Sequence, residues 1–424
     1  MKNYDSALKK LQGEELQNKL KYIYGEINFS SELERYTLLL EKHKKLYNSN
    51  ESLFLISAPG RIEVVGNHTD HNNGKVLTAA INKDSLACVS KRNDNIINIY
   101  SDGYDSIKIN VEDLSLSKSE YNTTTSIIKG IAFRMREEGY KIGGFDACIN
   151  STVLSGSGLS SSASIEILLV TIFDALFNNN NMSPILKAKI GQFAENEYFG
   201  KPSGLLDQSA SAIGGLVYID FKNSDPEIKP ISMDFSSFGY KIIVVNTNSR
   251  HDNLTSAYAA IPKEMKDIAK YFGKSTLIEV DFKDILDNID KLRENFGERP
   301  LLRALHFYNE NSRVENLITA IKEKSIQSIL NNIIESGESS FMYLQNIYAH
   351  EDYQPMSLAL ALSEQILKSK GAWRIHGGGF AGTTLNIVPF NMIEEFENVM
   401  EKVFGNGACL ELNIRPIGPY VIAL

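Results

Sequence analysis

The sequence predicts an α+β protein of two domains, and three observations carry that expectation. Apolar residues fall at helical spacing in some stretches and in short β-rich runs in others, and each half of the chain holds both kinds. The two kinds do not alternate as regular strand–helix–strand units, which argues against a doubly wound sheet. The length, 424 residues, suits two or three domains at about 150 residues each. The chain changes character after Gly214 and Gly215, which places a boundary near Ser224 and divides the protein into 1–224 and 225–424.

The elements follow in order. The first fifty residues are rich in lysine and glutamate, with leucines spaced for amphipathic helices. Residues 53–56 read as a strand that Pro59 and Gly60 stop. Beyond a serine cluster, Ile165, Leu168, Leu169, Ile172, Phe173 and Leu176 make one continuous helical face. Four asparagines at 178–181 end that helix, and Ser183 with Pro184 opens the next. Residues 216–221 and 241–245 read as strands, with long helical patterns from there to about residue 370. Strands at 373–375 and 384–388 flank a glycine loop, 392–403 is a helix and 420–423 a final strand.

Composition removes several function classes. Formal charge is 44 − 52 = −8, so no global basic field favours nucleic acid or an anionic membrane surface. No apolar run approaches the roughly 18 to 20 residues of a membrane span. The first residues are charged and lack the apolar core of a signal peptide, so a cytoplasmic protein is expected. Cys88, Cys148 and Cys409 are odd in number and far apart, which suits neither a disulfide framework nor a zinc site.

Four segments could carry chemistry. SAPGRIEVVGNHTDHNNG (57–74) crowds Arg61, His68, Asp70 and several amides into a turn-rich stretch. Such a mixture of donors and acceptors suits vicinal hydroxyls, although polar turns need the same residues. His68 and His71 also allow a metal reading, which ranks below the sugar because no third ligand lies near in sequence. LSGSGLSSSAS (154–164) places glycines and serines where a helix begins, which makes an anion site; one serine would suffice as a plain N-cap. In AENEYFGKPSGLLDQSASAIGG (194–215), a turn could aim Glu195 and Asp207 at one cleft. Equally, Glu195 could be a solvated helix residue and Asp207 an N-cap. HGGGFAG (376–382) fits GxGxxG, but a β-rich segment follows it and the Rossmann context is missing.

Together, GRIEVVGNHTDHNNG, GLSSSAS, GLLDQ and GGGFAG, with NTNSRHDNLTSAY at 246–258, resemble the galactokinase branch of the GHMP small-molecule kinases. The likeness runs from about Tyr22 to the C-terminus. It implies an active site between two α+β domains, ATP and Mg²⁺ as cofactors, and phosphorylation of the anomeric C1 hydroxyl of a galactose-type sugar. It further implies that Asp207 and Arg61 are catalytic and that Asn67, His68, Asp70 and Tyr258 hold the sugar. Gly156, Ser157, Gly158, Leu159, Ser160, Ser161 and Ser162 would form the phosphate loop, with Ser161 and Glu195 as Mg²⁺ ligands and Gly377 to Gly382 closing over that loop. The partners implied are a small sugar and ATP. Where the family usually reads GEHTDYN this chain reads GNHTDHN, so Asn67 stands for a glutamate on the O6 side of the sugar. Galactose leads a uronic acid of the same stereochemistry as substrate, and a catalytically silent sugar sensor is the reading from another class. No adenine contact is assigned, because 123–130 reads TTTSIIKG.

Overall fold

The fold is known from a computed structural model, which describes residues 2–153, 158–249, 254–348, 351–380 and 382–424. Two β-sheets organise it. The larger sheet has the order Tyr420–Ala423, Leu53–Val65, Lys75–Lys91, Phe145–Ser151, Ile96–Ser101, Ile107–Asn110. Lys75–Lys91 also pairs with Leu216–Asp220, which pairs in turn with Glu227–Ile231. The smaller sheet has the order Cys409–Leu412, Tyr240–Asn246, Thr383–Pro389, Ala372–His376, antiparallel throughout. Two strands from beyond Ser224, Glu227–Ile231 and Tyr420–Ala423, thus belong to the larger sheet.

Strand Leu53–Val65 does not stop at Pro59 and Gly60 but runs past them, with a register shift between Pro59 and Arg61. Proline has no N–H to give the ladder, and the Arg61 N–H leaves the ladder to bond Leu159 O at 3.1 Å. The irregularity lets one strand serve both the core and the site. The serine-led helix covers Ser161–Phe177 and is buried nearly all round, because it lies against the larger sheet among other helices. Helix Pro184–Phe193 begins as expected, with Ser183 Oγ accepting from Leu186 N and proline in its first turn. The glycine loop at 377–382 joins two antiparallel strands, as its β-rich flanks predict.

Ile62, Val64 and Leu77 of the larger sheet share one buried cluster with Val244, Leu385 and Ile387 of the smaller. Helices Glu298–Lys322 and Ile326–Ser339 complete it through Leu317 and Ile333. Among the described residues no helix is long and apolar enough to cross a membrane.

The amphipathic N-terminal segment forms helices Lys2–Leu11, Glu14–Tyr24 and Phe29–Tyr47 over the larger sheet. A buried carboxylate ties it there. Asp84 binds Arg35 of the third helix, takes a hydrogen bond from the Tyr24 hydroxyl, and pairs with Arg415 Nη1 at 2.8 Å. Asp84 and Arg415 are both fully buried. Burial alone would raise the Asp84 pKa, but the two guanidinium groups hold it below its ordinary value.

Asp84→Asn should therefore cost about 3–5 kcal/mol, since it leaves buried guanidinium charge unpaired. Thermal melting should show a lowered midpoint, and limited proteolysis should cut sooner between residues 47 and 53. In the wild type, the lowered pKa means this stabilisation is complete above the unfolded Asp value of about 3.9 and is lost as the pH falls through the folded value.

Candidate active site

Arg61 is placed by the larger sheet's strand Leu53–Val65, and Asp207 by the first turn of helix Leu206–Ile213. They meet as a two-point pair: Arg61 Nε donates to Asp207 Oδ1 at 2.7 Å and Nη2 to Oδ2 at 2.8 Å. Arg61 Nη1 donates to the Gly158 carbonyl, and Ser160 Oγ donates to Asp207 Oδ2. The guanidinium is buried, whereas Asp207 keeps 36% of its side chain open. Burial alone would raise the Asp207 pKa. The charge and hydrogen bonds of Arg61, the Ser160 hydroxyl and the Lys201 charge hold it below the usual Asp value instead. Asp207 is not an N-cap, because Leu205 holds that position.

The pair opens on a cleft that encloses about 490 Å³ when the part open to solvent is counted. One wall is the turn 66–74. His68 Nε2 donates to Gly378 O at 2.9 Å, and its ring meets Tyr258 edge-on with centroids 5.2 Å apart. Burial pushes the His68 pKa down to about 3, so the ring is neutral and Nδ1 is an acceptor; it is buried with no hydrogen-bond partner among the described residues. The rings of His68 and His71 stack 5.7 Å apart, and among the described residues no group of three His, Cys, Asp or Glu side chains is arranged to hold a metal. Asp70 lies against Gly204, where a Cβ would stand 1.7 Å from Asp70 Oδ2, so this close approach requires glycine. Gly378 meets the same limit, with a Cβ 2.1 Å from the Tyr258 ring.

Asn67 also lines the cavity, and its amide is saturated within the protein. Nδ2 donates to Glu63 Oε1 at 3.0 Å and Gly377 O at 2.8 Å, while Oδ1 accepts from Ser340 Oγ at 3.2 Å and Asn346 Nδ2 at 2.9 Å. Two donors and two acceptor positions are all an Asn side chain has. Helix Glu298–Lys322 props the turn from behind: Glu310 Oε1 accepts from Gly66 N at 3.0 Å, and His306 Nε2 bonds Asn67 O at 2.9 Å.

Helix Ser161–Phe177 begins beside the Arg61–Asp207 pair. Ser160 precedes it at φ 58°, a left-handed conformation that His68 shares at φ 58°. Neither residue is glycine, so each position costs of order 1–3 kcal/mol, held by the surrounding contacts. The first amides of the helix, Ser161, Ser162 and Ala163, have no carbonyl within the helix to bond and offer a positive dipole end. Gly156 and Ser157 of the expected phosphate loop lie outside the described residues, as do residues 250–253 of the segment before Tyr258. Gly158 packs on the third motif, 3.5 Å from its carbonyl to the point where Gly377 would carry a Cβ. Leu159 is buried, so only its backbone could face a ligand.

Glu195 is not a solvated helix residue: it is 3% exposed, in the wide turn of helix Ala194–Phe199. Its Oε1 pairs with Lys201 Nζ at 2.8 Å and accepts from Ser162 Oγ at 3.4 Å, while Oε2 accepts from Gln208 Nε2 at 2.9 Å. Ser162 is thus a serine within hydrogen-bond reach of Glu195, and Ser161, half-buried, opens the helix one residue earlier. A carboxylate and serine hydroxyls are hard oxygen donors, the set that Mg²⁺ accepts when substrate phosphates complete its shell. The donors fit that ion, and the helix start fits phosphate.

The sequence reading missed Glu63 and Lys201, both on the cavity wall. A signal for Glu63 existed: two residues from Arg61 on one strand, it shares that residue's face. Lys201 had none, because its direction depends on the turn that follows Phe199.

Similar proteins place this geometry in a family. Residues 41–91 match the galactokinase galactose-binding signature, and residues 126–215 match the GHMP kinases N terminal domain. A galactokinase of Clostridium perfringens is 33% identical over 362 residues, spanning 81% of this chain and 87% of that protein. A galactokinase of Lactobacillus helveticus is 31% identical, spanning 86% of this chain and 93% of that one. In fold, the chain resembles the Lactococcus lactis galactokinase crystallised with galactose, with TM-score 0.78, 23% identity, and coverage of 90% and 98%. The Methanococcus jannaschii mevalonate kinase is similar at TM-score 0.60 and 16% identity, over 85% and 98% of the two chains. The chain belongs to the galactokinase family of the GHMP kinases.

Proposed function

We propose that the protein transfers the γ-phosphoryl group of ATP to the C1 hydroxyl of galactose, giving galactose 1-phosphate and ADP. The observation that carries this reading is the two-point Arg61–Asp207 pair, set between a serine-led helix start and a wall of neutral and acidic sugar-type ligands. In this reading the sugar lies against His68, Asp70 and Tyr258 with O1 at Asp207. The phosphates lie at the helix start, along Gly158 to Ser162. Asp207 orients the hydroxyl and receives its proton as the O1–phosphorus bond forms and the bond to the ADP oxygen breaks. Its lowered pKa makes it a weak base, which suits a loose transition state in which the proton leaves late. Arg61 keeps that carboxylate ionised and faces the charge on the moving phosphoryl group. Glu195 and Ser161 would hold Mg²⁺, with Ser162 beside them. When bound, the ion supplies Lewis-acid neutralisation of phosphate charge.

Charge on the cavity wall favours a neutral sugar. Arg61, Lys201 and, behind the wall, Arg374 are set against four carboxylates, those of Glu63, Asp70, Glu195 and Asp207, and each of the three cations is paired with one of them, which leaves Asp70 as the excess charge. A uronate would enter against net negative charge. A silent sensor would not need Asp207 and Glu195 beside a helix start, so turnover is expected. The site draws on both sheets, and we read these as two domains dividing near Ser224, apart from the two strands that return to the larger sheet.

ADP release with galactose tests the reading directly. The wild type should turn over galactose and leave galacturonate nearly untouched. Asp207→Asn should lower kcat by about 10²- to 10⁴-fold, and it should also lower the melting midpoint because buried Arg61 loses its charge partner, so the rate is read on protein shown to be folded at the assay temperature. Turnover near the wild-type rate in that variant would remove Asp207 from the chemistry.

Glu195→Gln should raise the Mg²⁺ concentration needed for half-maximal rate and leave the KM for galactose nearly unchanged. An unaltered Mg²⁺ titration would take Glu195 out of the metal shell.

A further inference from the structure

We propose that Glu63 reads a sugar hydroxyl remote from C1 through its Oε2 and is a specificity-determining residue of this site; the proposal rests on the galactose reading above. Glu63 is a carboxylate with one oxygen committed and one unused. Its Oε1 accepts from Arg374 Nη2 at 2.8 Å and from Asn67 Nδ2 at 3.0 Å. Its Oε2 has no hydrogen bond from any described residue, although the side chain is almost wholly buried and lines the cavity. An acceptor left open to the cavity in an otherwise buried side chain is free to take a hydrogen bond from a hydroxyl that enters.

Position gives the hydroxyl its place on the ring. From Arg61 to Glu63 the strand is regular, with Arg61 opposite Ala80, Ile62 opposite Ala79 and Glu63 opposite Thr78. Side chains two apart on such a strand point the same way, about 6–7 Å from each other. Arg61 marks the C1 end through Asp207, so Glu63 stands across the ring, where O3, O4 and O6 lie. Two of the other wall carboxylates have both oxygens engaged, Asp207 by Arg61 and Ser160 and Glu195 by Lys201 and Gln208, while Asp70 bonds the His71 N–H through Oδ1 at 3.0 Å and keeps Oδ2 for the sugar contact of the reading above.

The carboxylate is also held still. Arg374 is fully buried and anchors its Nη1 on Val64 O at 2.6 Å. Asn67 is clamped on four sides, so it acts as a positioning residue: it fixes Glu63 and leaves the sugar contact to it. A fixed acceptor loses little freedom when a hydroxyl binds, and its reading of that hydroxyl is correspondingly strict.

The test pairs protein and substrate changes in one cycle. kcat/KM is measured for galactose and for its 3-deoxy, 4-deoxy and 6-deoxy analogues, with wild type and Glu63→Gln. One analogue should lose about 10- to 100-fold in the wild type. That penalty should shrink to a few-fold in Glu63→Gln, while the kcat for galactose stays near wild type and its KM rises. A merely structural role for Glu63 would weaken all four sugars together and keep the penalty, and that result overturns the proposal while the galactokinase reading stands. If Glu63→Gln does not fold, because Arg374 has lost its carboxylate, Glu63→Asp carries the same comparison; it keeps the charge and withdraws it by one methylene. Absence of galactose turnover in the wild type would overturn the parent reading, and the Glu63 proposal with it.

Discussion

Everything at this site hangs on one ion pair joining residues 146 positions apart in sequence. Arg61 is buried, and a buried guanidinium is tolerable only with its charge met and its donors used. Asp207 meets the charge, and the Gly158 carbonyl takes a further donor. That requirement brings a bulged strand, a helix start and a short helix into contact. It also fixes the state of Asp207, which stays ionised and points its open edge at the cavity. A carboxylate so held orients a hydroxyl well and deprotonates it poorly, which limits the kinds of chemistry it can serve.

The rest of the wall repeats this pattern of charge held by neighbours. Glu63 is tied to Arg374, Glu195 to Lys201, and the turn 66–68 to Glu310 and His306 behind it. The strained backbone at His68 lies on the cavity wall and is held by the contacts of that turn, and the strained Ser160 is held through its hydroxyl on Asp207. Rigid polar groups of this sort bind a neutral polyol with little reorganisation.

Much of this was legible in the sequence. Both flanking strands of the glycine loop, the capped start at Ser183 and the final strand at 420–423 follow from local periodicity and turn chemistry. Arg61 and Asp207 were recognisable from their motifs, and the fold brings them together. Local rules failed where long-range pairing decides. Pro59 and Gly60 look like a strand end, yet the Arg61 amide finds Leu159 and the strand continues. Glu195 looks like a surface helix residue, but a widened turn carries it inward. Glu227–Ile231 and Tyr420–Ala423 join the larger sheet from beyond the composition change at Ser224, because strand partners are chosen in space. Asn67 showed only a lost charge in the sequence. Its saturation by Glu63, Gly377, Ser340 and Asn346 depends on segments up to 310 residues away.

The most direct test of the whole account is the position of the phosphate on the product. Purified protein is incubated with MgATP and galactose, and the sugar product is examined by phosphorus–proton NMR. The account predicts one new phosphomonoester coupled to the anomeric proton, formed in equal amount with ADP. A phosphate coupled to the C6 protons, or ADP formed without any sugar phosphate, would contradict it.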